Sequence, residues 1–232
     1  MLKGIETCSS CTSSGCSGCT TSADGAGVAA DFVLFVSAVQ TEGCATSEAG
    51  TLAYASACQR DQFDRPIFGY ANFCPSLLAS SDQIAIHRST AVHELLHALG
   101  FSSSSWPLFR DAEGNPRTPR EADGLPADET VTCVDGVERS VVAISTSTIR
   151  SRDERGVRVT RMVTPRVTSV VRDLFGCSTL DGAEIENQPT TGTSCYGSHW
   201  EQRLYMNELM ASTSSHTAVY SALTLAALED SG

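Results

Sequence analysis

Ala91-Val92-His93-Glu94-Leu95-Leu96-His97-Ala98-Leu99-Gly100 is the stretch on which the reading of this chain turns. Residues four apart on a helix lie one above the other on the same face, so the imidazoles of His93 and His97 can grip a single ion. Glu94 is one residue round from His93, near such an ion without being bound to it. A carboxylate there can take a proton from a water molecule activated by the metal. Histidine, glutamate and histidine at this spacing therefore predict a zinc-dependent hydrolase. The bland alternative is a helix that carries three polar groups on a solvated or internally satisfied face. The neighbourhood argues against it: Ile84, Ala91, Leu95 and Leu99, with Val92 and Leu96, follow helical spacing and predict one buried side, leaving the histidine pair over a cleft. The expected helix runs from about Asp82 to Leu99 with Ser81 or Asp82 as its cap. Gly100 ends it, since glycine accepts the left-handed turn at a helix C-terminus.

Two histidines leave the coordination incomplete. In chains of the form HExxHxxGxxH the third histidine stands three residues beyond the glycine, a place held here by Ser103. His87 precedes the motif on the same expected helix, and His216 lies in a Ser/Thr-rich stretch; neither has the setting of a ligand. His199 stands in Gly197-Ser198-His199-Trp200-Glu201. A short way on comes Asn207-Glu208-Leu209-Met210-Ala211, a run that looks like a Met-turn, the tight turn that seats a methionine beneath a metal site. Another zinc class draws its third ligand from a downstream glutamate, for which Glu121, Glu184, Glu186 and Glu201 are the candidates.

At these residues the chain resembles the leishmanolysin-type metallopeptidases, including their invadolysin-like branch. The matching stretches are Ala30-Asp31-Phe32-Val33, the run from His93 to Phe101, Thr164-Pro165-Arg166-Val167 and Phe175-Gly176-Cys177. They continue through Gly182, Glu184-Ile185-Glu186-Asn187, Ser198-His199-Trp200-Glu201 and Asn207-Glu208-Leu209-Met210, and cover most of Ala30 to Gly232. The family keeps HExxHxxG and carries a long insertion before its third histidine, like that between Gly100 and His199. The resemblance implies that His93, His97 and His199 bind one zinc ion per chain, that Glu94 is the general base and that Met210 is the Met-turn residue, Met206 lying off the family's position. It implies endoproteolytic cleavage of protein or peptide substrates without a covalent intermediate.

The fold expected from the resemblance is α+β and metzincin-like. A twisted mixed sheet and the active-site helix would form an N-terminal lobe over residues 30–100. An inserted segment and a smaller C-terminal lobe, with the third histidine and the Met-turn, would occupy residues 101–232. A Cys/Ser/Gly-rich linker, disordered or locally disulfide-bonded, would fill residues 1–29. The competing function is a non-catalytic zinc-containing surface or binding protein of the same fold. Structural zinc sites usually close their fourth position with a protein ligand such as cysteine. No cysteine lies near the HExxH run, and such a protein has no use for Glu94.

Composition sets the outer bounds. The 232 residues carry a formal charge of −11, and the pI is about 4.8, which disfavours nucleic acid as a partner. The arginines between Arg139 and Arg172 alternate with valine and threonine like solvated strand faces. Ten cysteines point to disulfides and a secreted, lumenal or cell-surface setting. Cys8, Cys11, Cys16 and Cys19 form two CxxC pairs, set closer together than in a zinc ribbon. The chain opens without an apolar leader, has no membrane-spanning stretch, and reads as the catalytic core of a longer protein.

Periodicity predicts strands over Asp31–Val39, Leu52–Cys58 and Ile67–Phe73, the last as the edge that meets an extended substrate. Trp106 to Thr130 reads as an exposed loop. Val141–Ile149 and Val157–Val163 are expected to pair, Pro165–Phe175 to form a helix ended by Gly176, and Ala218–Glu229 a last helix.

Overall fold

Alternating small and apolar residues build the first layer. In the computed structural model, which describes residues 6–12, 15–21, 29–45, 50–78, 83–186, 195–213 and 215–232, the chain begins with the antiparallel pair β1 (Glu6–Thr12) and β2 (Gly15–Thr21). Their backbones set Cys8 opposite Cys19 and Cys11 opposite Cys16. This stretch belongs to a separate unit, Met1–Val33, and the rest of the chain, Leu34–Gly232, is the second.

A three-stranded sheet follows, from β3 (Val33–Ser37), β4 (Ala53–Arg60) and β5 (Pro66–Phe73), with the short helix α1 (Glu42–Ala45) between β3 and β4. The strand order is β3-β5-β4. This corrects the expected edge: β5 lies in the middle, because β3 takes its free side, and β4 is the outer strand. The β4–β5 turn is closed by Asp61, whose carboxylate accepts from the amides of Phe63 and Arg65. Asn72, 3% exposed, bonds to both the amide and the carbonyl of Val39 and so fixes the chain leaving β3. A Cys44–Cys74 disulfide closes the same corner.

Helix α2 (Ile84–Ala98) packs on β4 and β5. The expected cap at Ser81 or Asp82 lies outside the described residues. The buried side is not the apolar stripe. Ile84 is 61% exposed and Val92 and Leu99 reach the surface, whereas Thr90, Glu94, Leu96, His97 and Ala98 are buried. Polar groups can be sunk when each imidazole has a partner, and here the helix lies with its chemistry inward. Gly100 at φ 111° turns the chain out of the helix, a conformation that a side chain would strain.

The main core forms beyond the helix, around Trp106, Phe101, Trp200, Met162, Ile185, Met210, Val167 and Leu223. Phe101 meets both Trp106 and Trp200 edge to face, with ring centroids 5.2 Å apart in each case. The segment from Trp106 is thus no simple exposed loop. Trp106 and Phe109 are core anchors, and Arg110 and Arg120 both reach Asp64 of the β4–β5 turn, at 2.8 and 3.0 Å.

Two hairpins replace the expected pairing of Val141–Ile149 with Val157–Val163. Strand β6 (Asp128–Thr132) pairs with β7 (Glu138–Val142), and β8 (Ile149–Glu154) with β9 (Val157–Met162), which also carries the short β10 (Ala183–Glu184). The turn decides the register. Arg155 at φ 52° and Gly156 at φ 79° form a two-residue connection whose left-handed backbone matches the twist of the strands. The hairpin arginines are met by acids: Arg152 by Asp181 at 2.8 Å, and Arg161 by Glu154 and by Glu184 at 3.1 Å.

Helix α3 (Pro165–Phe175) forms over the expected span, with proline in its first turn and Gly176 left-handed at its end. After α4 (Gln202–Tyr205), the last helix α5 (Ala222–Glu229) is shorter than expected and packs on α3. Asp230 at its end accepts from the amides of Arg166 and Val167, capping α3 from a distance. Among the described residues no helix is long and apolar enough to cross a membrane.

Candidate metal centre

His93 and His97 project from α2 one turn apart, and a loop brings His199 to them. The three Nε2 atoms lie 3.0 Å (His93 to His97) and 3.2 Å (each to His199) from one another. Each ring is turned by an acceptor at its other nitrogen. His93 Nδ1 donates to the Leu209 carbonyl at 2.6 Å, His97 Nδ1 to the Phe101 carbonyl at 2.6 Å, and His199 Nδ1 to a carboxylate oxygen of Glu186 at 2.9 Å. Those acceptors fix the tautomer, so three Nε2 lone pairs point at one another with no proton to share. A tetrahedral ion with bonds of about 2.0–2.1 Å separates its ligands by about 3.3 Å, close to this triangle. The residues present fit a single metal ion.

Burial, with His199 alongside, holds His93 down at about 4, and burial holds His97 well below the usual histidine range. Glu94, next to His93 and only 6% exposed, is pushed up to about 7 by burial. Its Oε2 is shut off from solvent and has no hydrogen-bond partner among the described residues. The group faces an open cleft of about 950 Å³. Residues 51–55, leading into β4, line one side of it, and Leu209, Ala211, Ser212 and Thr213 line the other. Among the described residues that line it, Glu94 is the one carboxylate, and none is a lysine or arginine.

The loop that delivers His199 is held at several points. Ser198 Oγ accepts from the Ser103 amide at 3.0 Å and bonds its hydroxyl at 3.1 Å, so the position that carries a third histidine in the short motif here anchors the residue before His199. Trp106 Nε1 donates to the Gly197 carbonyl at 3.2 Å, and a Cys133–Cys195 disulfide lies just upstream. Beyond His199, the Trp200 amide donates to the Met210 carbonyl at 2.9 Å. Met210 is fully buried, and its amide donates to Glu208. Glu208 in turn accepts from Ser221 and Thr224 of the α5 N-terminus, and Thr224 accepts from Trp200 Nε1. Met206 is 67% exposed.

The other candidates lie elsewhere. His87 and His216 contribute nothing to the three-histidine cluster. Glu121 is exposed, Glu184 pairs with Arg161 and Arg203, and Glu201 caps α4. Glu186 meets the third imidazole at Nδ1, the side away from the three-histidine cluster, and is not a member of that cluster as the glutamate alternative expected. Glu208, Ser103 and Ser198 were not singled out as supports of the site; their partners lie too far along the chain for spacing to reveal them.

Three imidazoles converging on one point, with the carboxylate of the same HExxH run lining the cleft, form a cluster that could hold one metal ion. The leishmanolysin family profile matches residues 7–114 and 136–232. A leishmanolysin-like peptidase of Drosophila melanogaster is 44% identical over 216 residues, covering 88% of this chain and 30% of that protein. One from Caenorhabditis elegans is 42% identical over 207 residues, with 87% and 31% covered. Leishmanolysin of Leishmania major is 32% identical over 203 residues, with 87% and 26% covered. The chain belongs to the leishmanolysin family of metallopeptidases, and it spans between 26% and 31% of the length of these three relatives.

Proposed function

We propose that the chain is the catalytic core of a zinc-dependent endopeptidase, with His93, His97 and His199 as the metal ligands and Glu94 as general base. The observation that carries this reading is the triangle of Nε2 atoms, each ring turned by its own acceptor, beside a buried Glu94 oxygen that has no partner among the described residues. Zinc, when bound, supplies Lewis acidity toward the scissile carbonyl and makes water a better nucleophile near neutral pH. Glu94 takes the proton of the attacking water and returns it to the departing amine, from a position that opens on the cleft. The outer strand β4 offers its free edge to an extended peptide, and uncharged lining residues around Leu209 and Ala211 receive the side chains beyond the cleaved bond.

On this reading Met210, buried between the Trp200 and Glu208 bonds, is the Met-turn residue. The two lobes divide near Gly100, and the substrates are proteins or peptides. The Cys44–Cys74 and Cys133–Cys195 disulfides are compatible with an oxidising, extracytosolic setting. The test is cleavage of a quenched peptide library by the chain and by Glu94→Gln, with and without chelator. Cleavage that stops in the variant and on chelation, and returns with zinc, is expected; a zinc-loaded wild type that cleaves nothing would favour the non-catalytic binding role.

A further inference from the structure

His93 and His97 stand on a helix whose backbone sets their direction, whereas His199 stands on a loop whose backbone is tied down by Ser103, Trp106 and Met210 but whose imidazole is not aimed by any helix. It lies after the β10 strand and before α4, in a loop joined to its neighbours by single bridges such as Ile185 with Trp200. Its ring orientation rests on one contact, the Glu186 carboxylate, while the rings on α2 rest on neutral carbonyls. We propose that Glu186 is the positioning residue of the metal centre, acting through His199, and that a side-chain-free Gly197 provides its seat. This rests on the reading of the three histidines as metal ligands.

The two backbones interlock. The Glu186 amide donates to the His199 carbonyl at 2.9 Å, and the Gly197 amide donates to the Glu186 carbonyl at 3.1 Å. The Glu186 side chain then passes directly over Gly197 to reach Nδ1 of His199. A Cβ built at Gly197 would stand 2.0 Å from Glu186 Cγ and 2.6 Å from its carbonyl oxygen, so no other residue fits without moving the carboxylate. The bond is charge-assisted, unlike the other two. A carboxylate behind an imidazole fixes the ring, raises its donor strength toward a cation and adds long-range attraction for that cation. Glu186 therefore supplies, for the ring on the loop, the orientation that a helix supplies for the others.

The experiment is zinc affinity of the metal-stripped chain, measured by competition with a chromophoric chelator, for Glu186→Ala, Glu186→Gln, Gly197→Ala and Glu186→Ala/Gly197→Ala. Far-UV dichroism and melting of each metal-free chain, and peptide cleavage, are followed in parallel. Glu186→Ala should weaken zinc binding about 10- to 100-fold while the metal-free chain melts like wild type. Glu186→Gln, which keeps an acceptor and loses the charge, should recover part of the loss. Gly197→Ala should weaken zinc binding as well, and cost less once Glu186 is alanine, because the clash with the side chain is then gone and only that with the Glu186 carbonyl oxygen remains. Wild-type affinity in Glu186→Ala overturns the proposal, as does a melting point of the metal-free chain that falls in step with affinity. Additive losses in the double variant overturn the role of Gly197. Zinc affinity that follows this pattern in a chain without peptidase activity would sink the peptidase reading and leave the positioning role intact.

Discussion

The α2 half of the centre and the loop half reach the same point by opposite means. His93 and His97 need one turn of helix, with three residues between them, and the helix needs the sheet beneath it. His199 lies 102 residues beyond His97 and depends on Glu186, Ser103, Trp106, Met210 and a disulfide, drawn from distant parts of the chain. One half is built from local periodicity and the other from contacts between segments. Loop-closing contacts carry an entropic cost that helical neighbours do not. The loop half is therefore the one whose geometry a single distant substitution can spoil.

The largest effects should come from removing ligands, which tests whether the halves are equal partners. His97→Ala and His199→Ala should each lose zinc and turnover, measured by metal analysis after gel filtration. Zinc retained in full by His199→Ala would reduce the centre to its helical half. Next, Glu94→Gln should keep zinc and fold while kcat falls about 10²- to 10⁴-fold. Residual hydrolysis near wild type would remove Glu94 from its role as base.

A smaller effect separates the halves through their disulfides. Cys195→Ser removes the link beside the His199 loop and should lower zinc affinity as well as stability, by about 2–4 kcal/mol in unfolding. Cys44→Ser, which opens the corner of the N-terminal sheet, should cost stability alone. Equal effects of the two on zinc binding would erase the distinction. The smallest change expected is Ser198→Ala, which leaves the Ser103 amide without its acceptor; a loss of about 1 kcal/mol in thermal unfolding, with a modest rise in zinc dissociation, is predicted.

The same division governs what could be read in the amino-acid order. The helical motif, the α3 helix from Pro165 to Gly176 and the three strands ahead of α2 follow from spacing and from residues with fixed local meaning. The order of those strands does not: nothing in Ile67–Phe73 says that β3 will take its outer side. The start of β8 is not legible, because its turn to β9 places an arginine, Arg155, where asparagine or aspartate would announce a left-handed residue. The buried side of α2 differs from the expected one because apolar spacing is silent about a polar face whose imidazoles find partners in the carbonyls of Leu209 and Phe101. Glu186 reads in the sequence as one of four glutamates that could take the third ligand position, and only a fold-level contact puts it behind His199 instead.

Asp230 closes α3 from the far end of the chain. The amide of Val167 waits for a carboxylate 63 residues later, since Thr164 offers α3 no side-chain cap of its own. During synthesis, α3 therefore emerges with its first turn open and stays so until the chain has grown past Asp230. Asp230→Ala would return the helix to that state, at a cost of about 1 kcal/mol. A finished first turn in α3 thus reports that the last helix has been made and has docked.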